Sequence, residues 1–392
     1  MGCASELSRG HVQRQNQIQV GTPRLEYSLR TETMTSTGWM ILAAAASSWL
    51  AAGCSPTKIE ETKQHAGEVV VYSSVDDVYV RPVAEMFTRR TGVQVKLVLD
   101  AEETKSTGLL NRLLAESARP QADVFWSGDP LRAAVLKHRD LAAPFSPAEA
   151  DGLDQRFSDP DHQFTSFSAR LRVIIFNRQL LGTNQPPQSI FDLASPRFAR
   201  RACLANPLFG TTSMHAAALF QVVGAEKATE FFEKLTANGV RMLSSNGEVR
   251  RRVSAGDFDI GLTDSDDVNV ALNDGQPVGF VLPDQEGMGT LLVPNATVLL
   301  RGAPHAQNGE SFVNFLTSAE VEKFLAGSEA AQIPLRQGLT APRLFRRELS
   351  QIRLMAVDYP KLASEFEALS DGFLEKWTRQ QNTAGVANRG SR

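Results

Sequence analysis

Apolar and polar positions alternate between two periods from residue 68 onward. EVVVYSS, residues 68–74, is a short β-branched run of the kind that forms a buried strand. Val80, Val83, Ala84 and Phe87 follow at helical spacing, and Gly92 stands where that helix stops. VQVKLVL, residues 93–99, alternates with period two. Strand, helix and strand at this spacing make a βαβ unit, which predicts two parallel strands. The alternation continues with a helix at 108–117, a strand at 122–126 and a helix at 131–138.

RLRVIIFN, residues 170–177, opens a second set. RACLANP (201–207) predicts a strand, and helices follow at 211–224 and 227–239. EVRRRVSAG (248–256) is a short helix before the strand DIGLT (259–263). In TLLVPNATVLLRG, residues 290–302, Pro294 interrupts a strand and marks either a sheet edge or a crossing segment. Further helices are predicted at 310–318, at 319–328 and up to about residue 380, before a disordered tail at 381–392. The fold class is therefore α/β, with two lobes.

Composition narrows the function. Hydrophobic residues make up 42% and charged residues 22%, a globular balance. A formal net charge of −3 gives no basis for nucleic-acid binding. Cys3, Cys54 and Cys203 are too few and too far apart for a disulfide framework or a zinc site. Cys203 reads as a small core residue. GWMILAAAASSWLAAGC, residues 38–54, has an apolar stretch too short to span a bilayer and suited to a signal-peptide core. Small residues precede Cys54, as in a bacterial lipobox. The expectation is a leader over 1–54, lipidation at Cys54 and a polar tether over 55–68, with Met34 as an alternative start.

In open α/β sheets, ligands lie beyond the carboxyl ends of strands. That selects Ser73, Ser74 and Asp76 after the first strand, Asp129 after the third, and the stretch GLTDSDD, residues 261–267. Asp264, Asp266 and Asp267 repel one another, so they should face something that compensates: water, a helix end, a metal ion or a cationic ligand. Gly210, Thr211, Thr212 and Ser213 open a helix, where free N–H groups and the helix dipole attract an anion. Ordinary N-capping explains the same residues.

Several segments together resemble the ferric-iron group of periplasmic substrate-binding proteins of ABC importers. They are VVVYSSVDD, FTRRTGVQVKLVL, PQADVFWSGD, ARLRVIIFN, SPRFARRACLANPLFGTT and IPLRQGL, in that order between Val69 and Pro342. The resemblance implies a periplasmic-binding-protein type 2 fold, with two α/β lobes, two hinge crossings and a ligand cleft. On that reading the first lobe is 69–168 with 297–345. The second lobe is 169–296 with C-terminal helices at 346–380. The resemblance also implies an iron site built on adjacent tyrosines, with a histidine and a glutamate. Those positions fall near Ser265 and Asp266, near Asp76, and near Gly128 or Asp129. None holds the family's ligand, and Tyr79 is the one tyrosine placed to stand in. The family's anion site falls on Gly210, Thr211, Thr212 and Ser213, with Asn246 beside it and Arg170 near a crossing.

Two cargoes follow. Oxygen ligands from Asp76, Asp264 and Asp266 suit iron(III) or another hard metal, carried with a synergistic anion. As the alternative to the metal, aspartates opposite an anion site also suit a small zwitterion or anion such as an aminophosphonate. The expected partners are the ligand, an ABC permease and its ATPase, and a membrane reached through the lipid anchor. The expected location is the periplasmic or cell-surface face of a bacterial membrane, as a monomer. A lipid-anchored sensor or scaffold that feeds no importer fits the same features. Catalysis is not expected: the chain has no P-loop, G-x-S-x-G, H-E-x-x-H or CxxC motif.

Overall fold

The structure is a computed structural model that describes residues 67–100, 106–345 and 349–387. The leader, Cys54 and the tether up to residue 66 lie outside the described residues. The first half holds β1 (Glu68–Ser73), α1 (Asp77–Thr91), β2 (Gln94–Leu99), α2 (Thr107–Ala115), β3 (Val124–Ser127) and α3 (Pro130–His138). β1 lies between β2 and β3 and is parallel to both, with Val71 opposite Leu97 and Val124. Gly92 ends α1 in the left-handed conformation, as the spacing requires.

β4 (Thr165–Asn177) then runs through both halves. The second half follows with α4 (Arg178–Leu181), β5 (Ala202–Ala205), α5 (Gly210–Val223), α6 (Ala225–Ala237), β6 (Arg241–Leu243) and α7 (Asn246–Ser254). It continues with β7 (Ile260–Asp264), α8 (Ser265–Asn273) and β8 (Val278–Val281). β9 (Leu292–Leu299) returns to the first half and leads into α9 (Ala306–Leu316) and α10 (Ala319–Gly327). The strand order is β2-β1-β3-β9-β4-β7-β5-β6, with β8 also on β4. The start of β4 pairs with β9, and its end pairs with β7 and β8.

Pro294 lies in β9, inside the sheet between β3 and β4 rather than on an edge. Its partner Ala169 follows a bulge at Ser168, where φ is +42°. Ala169 instead exchanges backbone hydrogen bonds with Ile333, at 2.7 and 2.6 Å, so the missing proline N–H is not needed.

The first core gathers around Trp126, Phe167, Phe87 and Phe312, the last two edge to face at 5.0 Å. A second core joins Phe231, Phe232 and Leu235 to Trp377, whose indole donates to the Phe232 carbonyl at 2.9 Å. α11 (Tyr359–Leu369) packs on both α3 and α5. α12 (Glu375–Ala387) carries the helix through residues expected to be disordered; residues 388–392 lie outside the described residues. Trp377 anchors this extension by burying its ring against α6.

Candidate functional site

Strand ends and helix starts from both halves enclose a cavity of about 420 Å³. Ser74, Asp76 and Tyr79 enter it from the β1–α1 corner, Arg170 from β4, and Gly210 and Thr211 from the start of α5. Asn246, Arg250 and Arg251 come from α7, and Asp264, Asp266 and Asp267 from the β7–α8 corner.

Asp264 is the most heavily bonded of these. It accepts from Arg172 Nη1 at 2.7 Å, Thr211 Oγ1 at 2.6 Å, Asn246 Nδ2 at 3.1 Å and Arg170 Nε at 3.4 Å. Burial pushes its pKa up, but the two guanidinium groups and the Thr211 hydroxyl outweigh burial and hold it below the usual range. β4 and β7 explain the pairing, because Arg172 and Asp264 are direct cross-strand neighbours. Arg172 is fully buried and also bonds Thr211 and Thr212.

Asp266 and Asp267 occupy the first turn of α8, where carboxylates complement the helix dipole. Burial drives Asp266 up to about 8, aided by Asp264, Asp267 and Asp76 and opposed by Arg170, whose Nε is 3.8 Å away. Burial also raises Asp267, to about 6; Thr263 donates to it at 2.7 Å, and Arg250 stands at 3.9 Å. Oxygens of Asp264, Asp266 and Asp267 lie within 4.8 Å of one another, close enough to share a cation.

α5 begins without a side-chain cap, because its N-cap residue is Phe209. Gly210, in a positive-φ conformation, and Thr211 therefore present the helix start to the cavity. α7 is capped by Ser245, which accepts from the Glu248 N–H, and its first residue Asn246 bridges Thr211 and Asp264.

Four residues selected from the sequence stand behind the cavity wall and do not line it. Ser73 turns into the sheet and donates to the Trp126 carbonyl at 3.0 Å. Asp129 caps α3 and pairs with the buried Arg132 at 3.3 Å. Thr212 accepts from Arg172 and donates to Asn246, each at 3.1 Å. Ser213 is held by Arg132 at 2.7 Å and donates to the Gly210 carbonyl. The physical reason is periodicity: side chains alternate faces along a strand and step about 100° around a helix, so a residue beside a cavity-lining one need not line the cavity. Trp126 is core, packed 5.8 Å from Phe167, whereas Phe209 does line the cavity.

Sequence reasoning missed Arg172, Arg250, Arg251 and Glu329. For Arg172 a signal existed: in ARLR, two arginines at period two on an otherwise apolar strand share one face.

A two-half α/β molecule with a polar, charge-bearing cleft between strand ends is a ligand-binding protein of the hinged type. Residues 68–328 match the model of the bacterial extracellular solute-binding protein family, and the chain belongs to that family. An Fe(3+)-binding periplasmic protein of Serratia marcescens is 23% identical over 300 residues, covering 75% of this chain and 85% of the relative. A Salmonella typhi protein named for binding 2-aminoethylphosphonate is 27% identical over 247 residues, 61% of this chain and 68% of the relative. The periplasmic binding protein AfuA of Actinobacillus pleuropneumoniae, solved with fructose-6-phosphate, superposes with a TM-score of 0.71 at 22% identity, over 79% of this chain and 98% of that one. The protein is thus a periplasmic solute-binding protein, and the family implies a small ligand and an ABC permease as its partners.

Proposed function

We propose that the ligand is a small zwitterion of the aminophosphonate type, captured by lobe closure and released to the permease without turnover. The observation that carries this reading is the double arginine pairing of Asp264. Arg172 at 2.7 Å and Arg170 at 3.4 Å already neutralise the aspartate best placed to hold a cation. A trivalent metal among these carboxylates would stand beside guanidinium groups, an arrangement that costs several kcal/mol in a buried site. The same cavity also offers what an anion needs: the uncapped start of α5 and the side chains of Arg250 and Arg251. The Salmonella relative named for 2-aminoethylphosphonate supports the choice.

A hard metal with a synergistic anion, hence iron transport, is the second reading. The convergence of Asp264, Asp266 and Asp267 oxygens favours it, with Asp76 lining the same cavity, as does the Serratia relative. In either case the moving bodies are the lobes 69–168 with 297–345 and 169–296 with the C-terminal helices 346–380. The protein acts as a monomer, tethered through a lipid on Cys54 to the periplasmic or cell-surface face of the membrane.

Native mass spectrometry with metal analysis of protein purified from the periplasm separates the readings. A metal-free chain that binds 2-aminoethylphosphonate in calorimetry supports the first. One metal per chain, with no heat from the phosphonate, overturns it. Asp266→Asn is the cleaner site variant, since Asp264→Ala would leave Arg170 and Arg172 short of a partner.

A further inference from the structure

Tyr79, the third residue of α1, is only 7% exposed and lines the cavity. Buried tyrosines normally hydrogen-bond their hydroxyl. Tyr72 and Tyr359 obey this, donating at 3.0 Å to Glu116 and at 3.0 Å to the Leu292 carbonyl. The Tyr79 hydroxyl makes no hydrogen bond among the described residues and, unlike the sealed ring nitrogens of His215, it opens on the cavity. Its surroundings are anionic: Asp266, Asp76, Asp267 and Glu329 act on it from the start of α8, the start of α1 and the segment after α10. Arg170 and Arg250 are the cations nearest these acids, and Arg170 is already engaged with the Gly128 carbonyl at 2.9 Å and with Asp264. An unpartnered phenol among carboxyl groups from separate elements is a hydrogen-bonding site waiting for a donor-rich cation.

We propose that the Tyr79 hydroxyl, Asp266, Asp267 and Glu329 form a receptor for a primary alkylammonium group. An ammonium presents three N–H donors, which suits the Tyr79 oxygen and the carboxylates of Asp267 and Glu329, while the Tyr79 proton turns to the carboxyl oxygen of Asp266, an acceptor in either protonation state. Burial and the surrounding acids keep the phenol protonated, which favours hydrogen bonding over metal ligation. This subsite rests on the zwitterion reading and deepens it by placing the amine on the α1–α8 side and the anion at the start of α5.

The test compares 2-aminoethylphosphonate with ethylphosphonate, which lacks the amine, by calorimetry on the full protein, Tyr79→Phe and Glu329→Gln. The unmodified protein should bind the amine about tenfold more tightly or better, the scale of a hydrogen bond to a charged group. Tyr79→Phe should remove most of that preference and leave ethylphosphonate within about twofold. Equal affinity for both compounds in the unmodified protein, or equal weakening of both in Tyr79→Phe, overturns the subsite. So does a visible iron–tyrosinate band on adding ferric citrate that Tyr79→Phe abolishes. If neither phosphonate binds, the zwitterion reading falls, and ethylammonium chloride alone decides the subsite. A change in the Tyr79 ring NMR signal, identified by its loss in Tyr79→Phe, keeps the subsite, and no change ends it.

Discussion

Arg172 and His215 are two buried residues whose replacement tests how stability depends on charge. Arg172→Met removes the shorter of the two guanidinium bonds to Asp264 and leaves the buried carboxylate with Arg170 as its one paired cation, beside the neutral donors Thr211 and Asn246. The expected loss is about 3 kcal/mol, read from urea unfolding near neutral pH. His215, on α5, is buried, and neither ring nitrogen has a hydrogen-bond partner among the described residues. Burial, with the Arg172 guanidinium nearby, pushes it down to about 3. In the unfolded chain it titrates near about 6.5. The folded pKa is the lower one, so its contribution is present above about 6.5 and is lost as pH falls toward about 3, at about 1.4 kcal/mol per pH unit. His215→Leu should flatten that acid limb, measured as the urea midpoint at about pH 7 and about pH 5. The sequence made the aspartates easy to find and their partners hard. Asp264 meets Arg172 across 92 positions of chain, a pairing that only the β4–β7 register creates.

Strands with β-branched runs and helices with clear stops were legible element by element, because burial of one face or both writes itself into the pattern. The first half of β4 was not. Thr165, Ser166 and Ser168 are buried there although polar, because the crossing strand is covered on both sides. β8 was missed for its brevity, a four-residue strand following Pro277. Two substitutions test how tightly the elements fit. A Cβ on Gly261 would lie 2.5 Å from Val249 Cγ1 and 3.1 Å from Cys203 Sγ, where α7 covers β7. Gly261→Ala should therefore cost about 1–3 kcal/mol through overpacking, seen as a lower melting temperature. Ser168→Gly should do the reverse. Its φ of +42° suits glycine, and its buried hydroxyl is unbonded, so a gain of about 0.5–1 kcal/mol is expected in the same assay.

Across the whole molecule, the βα alternation announced two lobes and a cleft, whereas the ligand depends on which charges cancel inside it. Arg132 shows how the halves are held together. Its guanidinium reaches Thr107 at 3.2 Å and Asp129 at 3.3 Å in the first half, and the Gly210 carbonyl at 3.3 Å and Ser213 at 2.7 Å in the second. It also lies over the Phe366 ring of α11. Arg132→Gln should let the unliganded halves separate, giving a larger radius of gyration by small-angle X-ray scattering with the circular dichroism unchanged. An unaltered radius would remove Arg132 from that role.

The arginine-paired aspartate also bears on how quickly a ligand arrives. Four guanidinium groups, of Arg170, Arg172, Arg250 and Arg251, stand in or behind the cavity wall against the carboxyls of Asp76, Asp264, Asp266, Asp267 and Glu329. With Asp266 titrating at about 8, the two signs nearly cancel at neutral pH. Such a cleft projects little field into solution, so it does not draw charged molecules in from a distance. Encounter is left to diffusion, and the association rate should stay nearly constant as salt rises. A bacterium whose periplasm takes on the ionic strength of its surroundings would then collect this nutrient at the same pace in dilute and in briny water.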